Sequence, residues 1–514
     1  MMRKLICILL LAFCGSLVPA IPVSAQTTTA TLAGVVTDQS GGAVPGATVT
    51  VTSKDTQAAR TLVTDPDGRY RAAGLESGTY DVAVELTGFQ TARRTGIVLT
   101  LGQNLTVDFA IGVGKVEDVI TVTGEAPMID TTRSSVSGVV DAQQIRELPL
   151  NGRDFSQLTL LQPGVLASPT TARQVDRGMG TQVSVSGARP NQISYQMDGT
   201  DVNFQGNGSP GSAAGGALGV ETVREFQVLI NNYSAEYGRS SGGIVTAITR
   251  SGTNQFRGAA FEFFRDESFD SKNFFDPEDA EIPPLSRNQF GGILGGPIVR
   301  DKTFFFASYE GLRQDRGFTN ISRVPSRATR NRADINPAVR PFLLFYPEPN
   351  GTETGASGLY TTEVVEPTRE NYAVGKIDHL ASPSNTFSLR YSWDKASVLV
   401  PQLIPLFSTD TNTKAEFLVG EHKWIISPSL LNVVKVAWNR AYEATNNVEN
   451  VPVSDSLFFI PNTQFGSLAV SGLDTLGSDT NTPTFVDLKS LQVTQSLTWS
   501  RGAHNLKGGV SWTR

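Results

Sequence analysis

The sequence predicts a mainly β protein made of successive units: a small sandwich, a compact α+β unit, and a long antiparallel sheet of the kind that crosses an outer membrane. Three observations carry this. Glycine is plentiful, at 49 residues, while charged residues make up only 18% of the 514-residue chain, a balance that suits turns and strands better than long surface helices. Short runs with apolar residues at every second position recur along the chain. In the last half, the connections between these runs alternate strictly between long and short. The net charge of -6, the pI of about 5.4 and the lack of a long basic run argue against a nucleic-acid partner, because phosphate binding needs clustered Lys and Arg.

The N terminus reads as an export signal. Arg3 and Lys4 precede an apolar run from Leu5 to Val18, followed by Pro19, Pro22 and a small-residue site ending at Ala25, which makes residues 1–25 a cleaved signal peptide. A lipid anchor at Cys14 is the competing reading; Phe13 is bulky where such anchors want a small residue. No later stretch offers the roughly 20 apolar residues of a membrane-spanning helix. Cys7 and Cys14 are the only cysteines and leave with the signal, so no disulfide is expected in the mature chain.

Residues 28–112 alternate short β-prone runs with the turns "SGGAVPG", "DPDG" and "ESGTY". "NLTVDFAI" places Leu105, Val107, Phe109 and Ile111 on one face, and "DVAVEL" does the same with Val82, Val84 and Leu86. About seven strands fit here, the layout of a small sandwich. Asp65 and Asp67 have the chemistry of calcium ligands, but Asp-Pro-Asp-Gly is also what a tight turn needs. Residues 113–135 are a polar linker with one β-branched run, Val119, Ile120, Thr121 and Val122. It is either an ordinary linker strand or an edge strand for a partner's sheet, and spacing alone favours the ordinary one. Residues 136–253 mix a short helix at "DAQQIRELPL", strands at "QVSVSGA", "QISYQMDGTDV" and "VREFQVLI", and a loop of glycines and alanines from Gly206 to Gly219.

Residues 254–514 carry the strongest physical signal. "TFSLRYSWD" sends Phe387, Leu389, Tyr391 and Trp393 one way and Ser388, Arg390, Ser392 and Asp394 the other. "LQVTQSLTW" and "VVKVAWN" repeat the pattern. Strands are expected near 255–264, 287–299, 303–313, 370–379, 384–394, 416–426, 430–442, 487–500 and 504–513. The long connections are then Arg265–Ser286, Gln314–Arg369, Lys395–Ala415 and Glu443–Val486. Soluble domains rarely hold several structureless loops of this length. A membrane barrel has them on its outer side, with short turns at the periplasmic end. Trp393, Trp424, Trp438, Trp499 and Trp512 are all expected near strand ends, as aromatic girdles would place them.

Several motifs resemble known families. "AGVVTDQSGGAVPGATVTVT" and "TDPDGRYRAAGLESGTYDVAVELTGF" look like the carboxypeptidase regulatory-like domain, a transthyretin-like β-sandwich related to carbohydrate-binding folds, which implies a fold and no catalysis. "VREFQVLINNYSAEYGRSSGGIVTAITRSGTN" resembles the terminal plug motif of TonB-dependent outer-membrane receptors, with Glu225, Tyr237, Gly238, Gly242 and Gly243 in the matching positions. "SVSGARPNQISYQMDGTDV" is similar to the earlier plug motif, with Arg189, Asp198 and Gly199 matching and Asn191 beside them. "NQFGGILGGPIVRDKTFFFASYEGLR" looks like the first hairpin of the Oar-like subgroup.

This resemblance implies an outer-membrane receptor that imports a ligand by energy-coupled movement of a plug, with a siderophore, glycan or peptide as substrate and a TonB-type periplasmic protein and outer-membrane lipid as partners. It recasts Asp118, Val119, Ile120, Thr121, Val122 and Thr123 as a TonB-box-like segment and makes Arg189, Asn191, Asp198 and Gly199 ligand-facing. Such barrels have about 22 strands, so about nine strands suggest a fragment. The alternative is a secreted or surface-attached adhesin built of several carbohydrate-binding sandwiches. No catalytic residue, cofactor or metal is expected: Gly238-Arg239-Ser240-Ser241-Gly242 fits G-x-S-x-G, but His379, His422 and His504 all fall beside predicted periplasmic turns.

Overall fold

Alternation of apolar and polar residues sets the strands of all three units, and what differs is which phase points inward. A computed structural model describes residues 28–114, 119–122, 136–148, 153–168, 180–216, 218–238, 240–272, 274, 281–461, 463–502 and 504–514. The proposed signal peptide, with Cys7 and Cys14, lies outside the described residues.

The first unit contains β1 (Ala30–Asp38), β2 (Thr48–Ser53), β3 (Ala59–Val63), β4 (Arg69–Leu75), β5 (Gly78–Glu85), β6 (Thr91–Leu99), β7 (Asn104–Thr106), β8 (Phe109–Ile111) and β9 (Val119–Val122). One sheet runs β4-β1-β7, with β8 also on β1; the other runs β3-β2-β5-β6-β9. Leu32, Val49, Val82, Val84, Leu105 and Ile111 fill the shared core. "NLTVDFAI" keeps its predicted buried face but forms two strands. The break falls where the Asp108 carboxylate accepts the Val35 N–H (2.8 Å) and the Val107 N–H reaches the Ala33 carbonyl (2.7 Å). Asp65 accepts the N–H groups of Asp67 (3.0 Å) and Arg69 (2.8 Å), the role of a turn residue.

The second unit contains β10 (Val136–Val140), α1 (Ala142–Glu147), β11 (Val165–Ala167), β12 (Val183–Val185), β13 (Ser194–Met197), β14 (Thr200–Asp201), β15 (Val223–Asn231) and β16 (Ile244–Thr249). Asp141 caps α1 by accepting the N–H groups of Gln143 and Gln144, both at 2.9 Å. The main sheet runs β10-β15-β16-β13-β14 over a core that includes Val140, Ile145, Phe226, Val228 and Val245.

The third unit contains a continuous antiparallel wall and a short ribbon, from β17 (Arg257–Asp266), β18 (Leu285–Val299), β19 (Thr303–Pro325), β20 (Glu353–Thr354), β21 (Ser357–Ser382), β22 (Asn385–Pro401), β23 (Phe407–Ser427), β24 (Leu430–Glu449), β25 (Ser467–Leu468), β26 (Leu476–Gly477), β27 (Thr484–Arg501) and β28 (His504–Thr513). Its order is β17-β18-β19-β21-β22-β23-β24-β27-β28, with β20 paired to β21 and β25-β26 a separate ribbon. A single sheet of this extent is not a string of sandwiches, which removes the adhesin architecture.

All nine predicted wall strands are present, but several are much longer than expected. β19, β21, β23 and β24 have 23, 26, 21 and 20 residues, where 9–11 residues are about enough to cross a bilayer. The connection expected at Lys395–Ala415 shrinks to residues 402–406, and that at Gln314–Arg369 to 326–356. In these extensions polar residues fall on both faces, as at Thr409–Thr413, so a clear apolar alternation is lost. For the same reason Trp393 and Trp438 lie mid-strand, not at strand ends, whereas Trp424 and Trp499 lie beside the short turns as expected.

The wall is inverted relative to a soluble sheet. Arg390 is 1% exposed and Lys435, Gln492 and Thr494 are buried, while Leu389 is 51% exposed and Trp424, Val436, Leu491, Trp499 and Trp512 face outward. A protein dissolved in water has no reason to hide the polar phase and present the oily one. A protein in lipid does. At the outer end, the long connections carry their own core, in which Phe465 stacks on Phe407 (5.1 Å) beside Phe342, Phe345 and Ile404.

Candidate functional site

The inner, polar phase of the wall meets the second unit, which fills its concave side as a plug. The β13–β14 turn holds Asp198 and Gly199 at positive φ (52° and 74°), which is why Asp-Gly occurs there. The Asp198 carboxylate accepts the Thr249 N–H and hydroxyl (2.9 Å each) and pairs with Arg390 Nε of β22 at 2.7 Å. Its carbonyl accepts Lys435 Nζ of β24 at 2.7 Å. Burial alone would raise the Asp198 carboxyl; Arg390, then Lys376 and Lys435, outweigh it and hold the group below the usual carboxylate range.

A second junction centres on Glu310 of β19, buried against the plug. It accepts from the Gln289 side chain (2.7 Å), the Gly219 N–H (3.0 Å) and Arg153 Nε (3.5 Å). Arg153 also pairs with Glu221 (3.3 Å), which pairs with Arg250 (3.5 Å). The Arg153 guanidinium lies 4.4 Å from the ring centres of both Phe261 and Phe263 on β17, a pair of cation–π contacts that gives this aromatic strand an inward role. Further toward the outer end, the Ala213 N–H donates to the Thr413 hydroxyl (2.9 Å), so the glycine–alanine loop reaches the wall there.

The sandwich closes the short-turn end. The Leu101 N–H donates to Glu225 of the plug (3.1 Å), the Asn254 N–H to the Asp55 carbonyl (2.9 Å), and Lys423 of the wall pairs with Glu76. Between sandwich, plug and wall lies a cavity of about 690 Å³, lined by charged groups including Asp55, Arg224, Lys376 and Arg390. Burial pushes the Glu225 carboxyl above its usual range, against the opposing pull of the neighbouring Ser77 hydroxyl and of the Leu101 N–H that it accepts.

The sequence-derived residues distribute as follows. Val119, Ile120, Thr121 and Val122 form β9, paired in parallel with Thr91–Arg94 of β6; Asp118 and Thr123 lie outside the described residues. Arg189 and Asn191 are exposed on a turn at the opposite end of β13 from Asp198 and Gly199, which are enclosed by plug and wall. Glu225 lies in β15 at the sandwich contact. The Tyr237 ring packs edge-on to Tyr233 (6.3 Å), and the Tyr233 hydroxyl donates to the Gly242 carbonyl (3.0 Å).

The small residues of the stretch leading out of the plug are dictated by space. A Cβ on Gly243 would lie 2.6 Å from Val185, and one on Gly252 would lie 2.3 Å from the Phe305 carbonyl of the wall. Ser240 donates to the Gln192 carbonyl, while His379 and His422 bond to Thr303 and Asn385 on wall strands. The wall residues Glu310, Arg390, Lys423 and Lys435 escaped the sequence reading. Their signal was a charge on the wet phase of an oily strand.

The outer membrane beta barrel domain matches residues 248–334 and 331–514, and the carboxypeptidase regulatory-like domain matches residues 31–112. The TonB-dependent transporter Oar of Myxococcus xanthus is 30% identical over 297 residues, 54% of this chain; the chain spans 26% of that relative's length. Among solved structures, the outer membrane transporter YddB from Escherichia coli aligns with a TM-score of 0.49 at 13% identity, over 73% of this chain and 47% of that one. The siderophore receptor PirA from Acinetobacter baumannii aligns at 0.45 and 17% identity, over 73% and 47%. The inverted wall and the match across it, which covers more than half of the sequence, agree: the chain belongs to the outer membrane beta barrel domain family and is a protein of the bacterial outer membrane.

Proposed function

We propose that the chain serves energy-coupled import of a ligand across the outer membrane. A ligand reaches the outer connections and exposed plug residues such as Arg189 and Asn191; a TonB-type periplasmic protein then pulls on Asp118–Thr123 and displaces the plug. The observation that carries this reading is the character of the plug–wall interface. It is built around hydrogen bonds and ion pairs, at Asp198–Arg390, Glu310–Gly219 and Thr413–Ala213, with small apolar clusters such as Leu218 against Leu312 and Val374 beside them. Water can replace such bonds at a net cost of about 1 kcal/mol each. A continuous interdigitated apolar core has no comparable substitute, so a seam of polar links with only small apolar clusters between them suits a part that must move.

The relative named TonB-dependent transporter supports the same reading. A siderophore, a glycan or a peptide all remain within it as substrates. The test is capture of the periplasmic domain of a TonB-type protein by the chain in detergent. Proline at position 120 removes a backbone donor from the coupling strand. Ile120→Pro is therefore expected to weaken capture at least about tenfold, the loss of one to two ladder bonds. Equal capture by the variant removes the assignment.

A further inference from the structure

The coupling segment occupies a specific place: β9 is the terminal strand of the sheet β3-β2-β5-β6-β9, so the sandwich holds it by backbone pairing. The pairs are Thr91 with Val119, Ala92 with Ile120, Arg93 with Thr121 and Arg94 with Val122. Just past Arg94 the β5–β6 ladder is bulged, with Gly96 at φ 77° and its N–H bound by the Asp81 carboxylate at 2.9 Å. A bulge bends the edge and ends regular pairing, so the straight part available to a guest strand is Thr91–Arg94, the four residues that β9 uses.

A β-strand has two hydrogen-bonding edges. One edge of β9 is taken by β6, and among the described residues no strand pairs with the other. Such an edge is a template for an incoming strand. Resting on the reading of Val119–Val122 as the coupling segment, we propose that the β6 edge of the sandwich is a strand-binding site that presents this segment, already extended, to the periplasmic partner. The partner adds as the next strand of the sheet while β9 stays on β6. Capture then needs no prior release, and traction reaches the sandwich through the ladder before it reaches the plug. The sandwich itself is fastened to wall and plug by polar contacts at Glu76–Lys423, Leu101–Glu225 and Asn254–Asp55, with the Leu431 side chain of the wall against Gly74. It would therefore come away first and open the charged cavity behind it.

The test introduces a disulfide across the register in the full chain. Arg93 is exposed, so Arg93→Cys spares the core, and paired with Thr121→Cys it places two thiols on directly opposed residues. Oxidation is expected to cross-link this pair at least about fivefold more than Arg93→Cys with Val119→Cys, which lies out of register. Equal or absent cross-linking overturns the docking. Independently, in the unaltered chain, the amides of Val119–Val122 that bond to β6 are expected to exchange at least about tenfold more slowly than in an unfolded peptide; no slowed amide among them overturns it as well.

The cross-linked chain is then offered the periplasmic domain of a TonB-type protein. Capture at least as tight as by the reduced form is expected, because a preformed strand has less order to lose; weaker capture overturns presentation in place. If neither form captures the domain and Ile120→Pro changes nothing, the coupling assignment fails, while the cross-link still reports on the docked strand.

Discussion

Glu225 shows how a single side chain reports on the docking of two units. Its carboxyl is raised by burial at the contact with Leu101. A raised carboxyl supports the docked state fully below its ordinary value near 4.5 and loses that contribution as pH rises through the raised value. Sandwich and plug are therefore expected to hold together less tightly as pH climbs above about 4.5 and through the raised value. Glu225→Gln keeps an oxygen for the Leu101 N–H and removes the titrating charge. It should flatten the profile, as read from distances between spin labels on the two units; an unchanged profile would point to another group. At this scale the sequence was half legible. Glu225 and Asp198 could be picked out by motif, but not their partners, because Leu101, Arg390 and Lys435 come from other units and only the fold brings them together.

Elements were easiest to read where one face is oily. β22, β24 and β27 were placed almost fully across the membrane, because Leu389, Val436 and Leu497 alternate with Arg390, Lys435 and Ser496. The outer halves of β19, β21 and β23 were missed because many of their inner positions are polar, such as Ser322, Thr368, Thr411 and Thr413, and leave no clear oily-and-wet alternation to read. The sharp β7–β8 break was also invisible, since it depends on Asp108 reaching across to Val35. The outer connections likewise turned out to be organised around Phe465, which is completely buried between Phe407, Phe342 and Phe345. Phe465→Ala should cost about 3–5 kcal/mol of local stability. Proteolysis is expected to cut residues 326–356 and 450–483 much faster in that variant while leaving the wall intact; wall and loops failing together would show that they are one cooperative unit.

For the whole molecule, the decisive property is which phase of the strands faces out. Leu389 lies on the outer face of β22, between the row of Trp424 beside the short turns and that of Trp393 further up. Leu389→Arg should therefore cost about 2–4 kcal/mol in lipid, measured by urea titration in vesicles. Thr386→Arg, on a residue lining the charged cavity, should cost clearly less. Similar costs at both positions would mean that the outer face does not touch lipid. The architecture of sandwich, plug and wall was legible from the sequence, because each unit has its own pattern. How they meet was not, since the seams mix polar pairs with small apolar clusters, and neither has a periodicity.

The strict alternation of the wall also matters before the protein ever reaches its destination. A nascent chain in the secretion channel is sampled for segments greasy enough to slip sideways into the inner membrane, and about 20 apolar residues in a row are needed for that. With a polar residue at nearly every second position, as in Phe387–Asp394, each wall strand is too hydrophilic, averaged over its length, to be retained. The chain thus carries enough oil to coat one side of a finished sheet, yet never enough in one place to be stranded in transit.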